Sequence, residues 1–100
     1  MEHKMIEQIC FSLQGTTQDL KYGSDYCFLV NQKLFCIKTL EAPHQISFKA
    51  PTGEIGNLTS RGGIVKGKNY NWVKVNDINA LSKREWEYYI RQSYLMVSSN

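Results

Sequence analysis

The sequence predicts an antiparallel α+β fold, a sheet with the terminal helices packed on it. Three observations predict it. Apolar residues near each end of the chain recur with helical period. Short runs between them alternate with period two, and the central pair reads as a hairpin. Hairpin-linked strands flanked by terminal helices favour an antiparallel layer over a parallel sheet. The expected order is α-β-β-β-β-α-β-α over a single domain, residues 1–100.

Each element has its own warrant. Ile6, Ile9, Cys10 and Leu13 stand at i, i+3, i+4 and i+7, the stripe of an amphipathic helix, and Gly15 ends it. Leu20 and Tyr22 alternate with Asp19 and Lys21 in a short strand stopped by Gly23. Asp25–Val30 and Lys33–Thr39 form a hairpin around Asn31-Gln32. Asn tolerates the positive φ of a tight turn and Gln does so less well, so the turn type stays open. A two-residue loop makes cross-strand partners sum to 63, setting Phe28 against Phe35, Tyr26 against Ile37 and Cys27 against Cys36. Both faces of this ribbon are apolar, so it is expected to be central and covered on both sides. Gln45–Lys49 alternates again, with Ile46 and Phe48 on one side.

Pro51–Ser60 is a weak helix, Pro suiting its first turn while Gly53 and Gly56 lower its propensity. The two prolines, Pro43 and Pro51, fall at junctions. Tyr70–Asn76 is a further strand, with Trp72 and Lys74 opposed to Val73 and Val75. Ser82-Lys83-Arg84-Glu85 is a capping box, followed by Trp86, Tyr89, Ile90, Tyr94 and Val97 along one side of the last helix. Glu87 sits one turn ahead of Arg91, a spacing at which opposite charges support a helix.

Composition bounds the function. One hundred residues with 42% apolar content can bury one core without metal or disulfide staples. The longest unbroken apolar run is Tyr26 to Val30, too short to span a bilayer. Three cysteines without a CxxC pair suit a reducing cytoplasm. A net charge of +3 is mild, so any nucleic-acid affinity is expected to be modest and salt-sensitive.

That charge is not spread evenly. Residues 1–50 hold five lysines and five acids, whereas residues 51–100 hold seven Lys or Arg against four acids. The stretch Arg61 to Lys74 contains Arg61, Lys66, Lys68 and Lys74, no acid, three glycines and the rings Tyr70 and Trp72. Cations would neutralise phosphates of a DNA or RNA backbone, and Tyr70 or Trp72 could stack on a base. The same residues also suit a solvated loop entering a core strand, with Trp72 buried against the last helix, the expected place for a large aromatic. Lys21, Lys33, Lys38 and Lys49 would extend a basic surface from the hairpin. No helix-turn-helix or zinc-finger pattern is present, so contact is expected to be wing-like and backbone-directed.

Other chemistry is less well supported. In the sum-63 register Cys27 and Cys36 lie opposite one another. They act either as two reduced apolar thiols or as a redox pair closing a strained cross-strand disulfide. His3 and His44 are isolated, the cysteine spacings match no zinc site, and no cofactor is implied. No nucleophile-and-base grouping or phosphate loop appears, so the protein is not expected to be an enzyme. Ser93-Tyr94 reads as structural, its ring packing on the sheet and its hydroxyls finding backbone partners. If the helices cover only one layer, the remaining apolar surface would serve a protein partner or a homodimer; no membrane association is expected.

The element order carries specific words: Lys21 to Phe28, Lys33 to Cys36, Ser47 to Lys49, Trp72 to Val75 and Ile90 to Val97. From Ile9 to Val97 they resemble the MmcQ/YjbR family of small bacterial proteins. The resemblance implies a CyaY-like fold and a family label of DNA-binding protein, drawn from a double-wing arrangement. Leu13-Gln14-Gly15 lacks the proline usual before that glycine, and Ile64 to Lys68 replaces a proline-containing segment. The fold this resemblance implies is similar to that of frataxins, whose iron binding relies on an acidic first helix. Here Glu2 and Glu7 flank Lys4, which disfavours that role.

Overall fold

The computed structural model describes residues 3–21, 23–41 and 44–99. Glu2, Tyr22 and Pro43 lie outside them. Backbone pairing builds one six-stranded sheet, every neighbouring pair antiparallel, in the order β1-β2-β3-β4-β6-β5. The strands are β1 Thr17–Lys21, β2 Asp25–Val30, β3 Lys33–Thr39, β4 Ile46–Lys49, β5 Ile64–Lys66 and β6 Trp72–Val75. The helices are α1 Lys4–Phe11, α2 Ile55–Thr59 and α3 Lys83–Ser98. α1 and α3 pack together on one face of the sheet, and α2 lies beside β5. No helix among the described residues is long and apolar enough to cross a membrane.

The α+β class stands, and the order gains one strand. β5 has only three residues, between Gly62-Gly63 and Gly67, too few for alternation to show. The 51–60 segment is a 3₁₀ turn, Thr52–Glu54, running into α2, which buries only Leu58. α3 opens with the capping box: the Ser82 amide donates to Glu85 Oε1 at 3.0 Å and the Glu85 amide to Ser82 Oγ at 3.2 Å. Its Trp86 is fully buried edge-on to Phe48, with the indole N–H donating to the Ile78 carbonyl at 2.8 Å.

The hairpin departs from the simple register. Val30 pairs with Lys33 and Leu29 with Leu34, but Phe28 then pairs with Cys36, leaving Phe35 as an extra residue in β3. Such a bulge breaks the alternation. Phe35 and Cys36 are therefore both fully buried. From there the expected pairs shift by one: Tyr26 meets Lys38 and Cys27 meets Ile37. Cys27 and Cys36 thus lie on opposite faces as free, buried thiols, and of the two readings the sequence offered the redox pair does not form. Cys36 belongs to the helix side, where its thiol meets Cys10 of α1, and burial pushes the Cys10 thiol well up.

The bulge interrupts the β3–β4 ladder as well, and one side chain repairs it. Pairing of these strands stops at Cys36–Phe48. Beyond it the Lys49 amide donates to Ser93 Oγ at 3.0 Å, and the Ser93 hydroxyl donates to the Phe35 carbonyl at 2.6 Å. Ser93 is fully buried. Next to it the Tyr94 ring stands edge-on to Phe35, and its hydroxyl donates to the Gln14 carbonyl at 2.5 Å. Ser93-Tyr94 is structural, as its residue types suggest.

Two stability outcomes follow. Ser93→Ala strands a part-buried amide and a buried carbonyl and should cost about 2 kcal/mol in urea unfolding; a loss under about 0.5 kcal/mol would show that the strands close the gap themselves. At the turn, Asn31 and Gln32 both have positive φ, 53° and 65°. Gln32 bears the left-handed penalty of roughly 1–2 kcal/mol. Glycine escapes it but loses about 0.5–1 kcal/mol in the unfolded chain, so Gln32→Gly should raise stability by about 0.5–1 kcal/mol.

Candidate functional site

Alternation sorts side chains between the two faces of the sheet. Phe28, Cys36, Phe48 and Val73 form one row under the helices; Cys27, Ile37, Ser47, Lys74 and Val65 form the adjacent row on the helix-free face. On that open face lies a groove of about 470 Å³. Its floor is Leu34, Ile37, Ser47, Trp72 and Lys74, with Asp25, Thr39 and Gln45 at the β2–β3 end. Residues 67–69, in the loop between β5 and β6, line its other side.

That loop owes its path to Gly67. The Gly67 amide donates to the Trp72 carbonyl at 2.8 Å, and the Trp72 amide returns to the Asn69 carbonyl at 3.1 Å. A Cβ on Gly67 would stand 3.0 Å from the Trp72 carbonyl oxygen and 3.1 Å from Trp72 Cβ. Asn71 takes a left-handed φ of 65°, and its side-chain amide donates to Thr52 Oγ1 at 3.0 Å. Lys68 and Asn69 are thereby carried to the groove beside Trp72.

The basic stretch is divided by this geometry. Lys68 and Lys74 line the groove. Lys66 pairs with Val73, which places it on the other face of edge strand β5. Tyr70 sits in the loop with 76% of its surface exposed. Arg61 is elsewhere: its guanidinium meets Glu85 at 2.7 Å and donates to the Ala80 carbonyl at 3.3 Å. Among the described residues, neither Lys68 nor Lys74 has a carboxylate within 4.0 Å. Lys38, counted with the hairpin lysines, is buried on the helix side and paired with Glu7 of α1 at 3.0 Å.

Trp72 corrects another expectation. The indole buried against the sheet from α3 is Trp86's own, and Trp72 lies half-buried in the open groove. The reason is parity: Val73 and Val75 occupy the helix side of β6, so Trp72 and Lys74 take the opposite one. Asp25, Leu34, Ile37 and Ser47 join the site without having been expected there. For Ile37 the simple register assigns the wrong face; for Ser47 the visible signal is alternation with Ile46 and Phe48.

His3 and His44, isolated along the chain, meet with ring centroids 5.4 Å apart. Burial, the neighbouring His44 and the Lys38 ammonium hold His3 below its ordinary value. An ammonium beside two imidazoles opposes a cation. Among the described residues no group of three or more His, Cys, Asp or Glu is placed to hold a metal.

A six-stranded antiparallel sheet, helices on one face and an open groove on the other, defines an α+β scaffold of the YjbR type. The chain belongs to the YjbR family, whose model matches residues 11–96. A crystal structure of a Deinococcus radiodurans protein with a DUF419 domain is similar at a TM-score of 0.80 and 18% identity, covering 95% of this chain and 77% of that one. At that identity the likeness concerns the fold. Among curated proteins none matches.

The Arg61–Glu85 pair yields a pH dependence. Arg61 first, and then the Ser82 amide, hold the Glu85 carboxyl down at about 2, from an ordinary 4.5. A depressed folded value contributes stability that is complete above pH 4.5 and is lost as pH falls toward 2. Both partners are about one-third exposed, so solvent screening limits the pair to about 1 kcal/mol. Glu85→Gln should therefore lower unfolding stability at neutral pH and converge with the parent near the acid end. A constant difference across the titration would show that ionisation of Glu85 is irrelevant.

Proposed function

We propose that the protein binds nucleic acid, without catalysis, through the helix-free face of its sheet. Lys68 and Lys74 meet backbone phosphates there and Trp72 offers an aromatic surface. One observation carries the reading: two lysines without a carboxylate partner among the described residues share a groove with a half-buried indole. Ammonium groups near an aromatic face are the combination that phosphates and bases jointly require. A purely apolar ligand would leave the lysines without a role. The net charge of +3 adds a weak long-range attraction for a polyanion.

This site is narrower than the basic stretch as a whole, because Arg61 is committed to Glu85 and Lys66 faces away. It is also a recessed face rather than a projecting wing. With so few phosphate contacts, affinity should fall in the non-specific range of about 10⁻⁴–10⁻⁶ M at physiological salt.

Fluorescence anisotropy of a labelled oligonucleotide across a salt series tests the proposal. Each phosphate contact adds about 0.7–0.9 to the slope of log affinity against log salt. Lys68→Ala with Lys74→Ala should flatten that slope by about 1.5, whereas Arg61→Ala leaves it unchanged. Absence of binding at low ionic strength, or equal slopes in parent and double variant, overturns it.

A further inference from the structure

We infer that the groove takes a single strand, with an unpaired base stacked on Trp72, rather than a duplex. This inference rests on the function proposed above and names the ligand class of the same site. Three features of the groove point to it.

The first is where the aromatic surface lies. Trp72 is on the floor of the open sheet face, beside the loop of residues 67–69. A duplex keeps its base faces stacked inside and presents only edges and phosphates along its length. An indole recessed beside a loop meets a base face only when that base is unpaired. Stacking on aromatics displayed by a sheet is the usual way unpaired bases are held.

Spacing supplies the second. Trp72 and Lys74 are two residues apart on the same face of β6, about 7 Å along the strand. That is close to one extended nucleotide step, so a base on the indole leaves its neighbouring phosphate near the ammonium. Lys68 stands on the loop side of the same ring. The volume of about 470 Å³ suits one or two nucleotides and lies within the usual range of ligand pockets, about 300–1,000 Å³.

Charge distribution is the third. An acidic residue, Asp25, lines the β2–β3 end of the groove. It disfavours a phosphate there, with its cross-strand neighbour Lys21 offsetting part of its charge, and so biases the backbone toward the side bearing Lys68 and Lys74. A duplex backbone crossing the whole sheet face would pass that acidic residue. Ser47 and Asn69, beside the indole, carry groups that both donate and accept, so they tolerate any base edge and predict little sequence preference.

The experiment compares one oligonucleotide sequence unpaired and closed as a hairpin duplex, at one low salt concentration. Anisotropy gives affinity, and intrinsic tryptophan fluorescence reports contact with the indole. The single strand should bind at least about tenfold tighter than the duplex and quench the fluorescence. Trp72→Ala should cost the single strand about 5- to 150-fold, the range for loss of one base stack, and cost the duplex far less. Trp72→Phe should keep most of the single-strand affinity and lose the quench, since Trp86 is buried. Equal affinity for both forms, with Trp72→Ala neutral and the double lysine variant impaired, overturns this inference while the proposed function survives. No binding of either form overturns both.

Discussion

The buried hydroxyl of Ser93 stands where β3 and β4 would otherwise have met. It accepts from the Lys49 amide and donates to the Phe35 carbonyl, occupying the gap that the extra residue in β3 opens. The consequence extends along the strand. With Phe35 absorbed as a bulge, Cys36 and Lys38 turn toward the helices, and Ile37 and Thr39 toward the open face. An uninterrupted strand holding Phe35 inward would reverse all four. Lys38 would lose Glu7, and the groove would lose Ile37 from its floor. A single side-chain bridge from α3 therefore supports both the core and the candidate site.

Electrostatics are arranged by the same parity. The half of the chain that carries the positive excess does not present it as one patch. Arg61 ties the end of α2 to the first turn of α3 through Glu85, whose other oxygen closes the capping box. Lys66 and Lys74 are both in the β5–β6 hairpin, yet they occupy opposite faces. Of the fourteen-residue stretch, the groove takes Lys68, Lys74 and the Trp72 indole, a small constellation compared with the stretch that suggested it. On the proposed reading, so small and mildly basic a site would act by stacking and phosphate neutralisation rather than by reading base edges.

Features set by near neighbours along the chain were legible in the sequence. The stripe of α1, the hairpin at Asn31-Gln32 and the capping box at Ser82 each depend on residues a few positions apart, and each formed. β5 was missed because three residues cannot display a period. Trp86 took its expected place on the apolar side of α3 and Trp72 did not: β6 can bury either Val73 and Val75 or Trp72 and Lys74, and packing against α3 selects the valines.

The amino-acid order by itself determined the class of fold, the family and the local signals that start and stop its elements, because those reside in short-range periodicity and backbone preference. Tertiary structure alone decided the β3 register, the burial of Lys38, the loss of Arg61 from the basic surface and the meeting of Lys68, Trp72 and Lys74. Ser93 lies 58 residues from Phe35, and Lys38 lies 31 from Glu7. Contacts so distant along the chain are settled by which faces the packed helices leave uncovered, a quantity that no local window of residues contains.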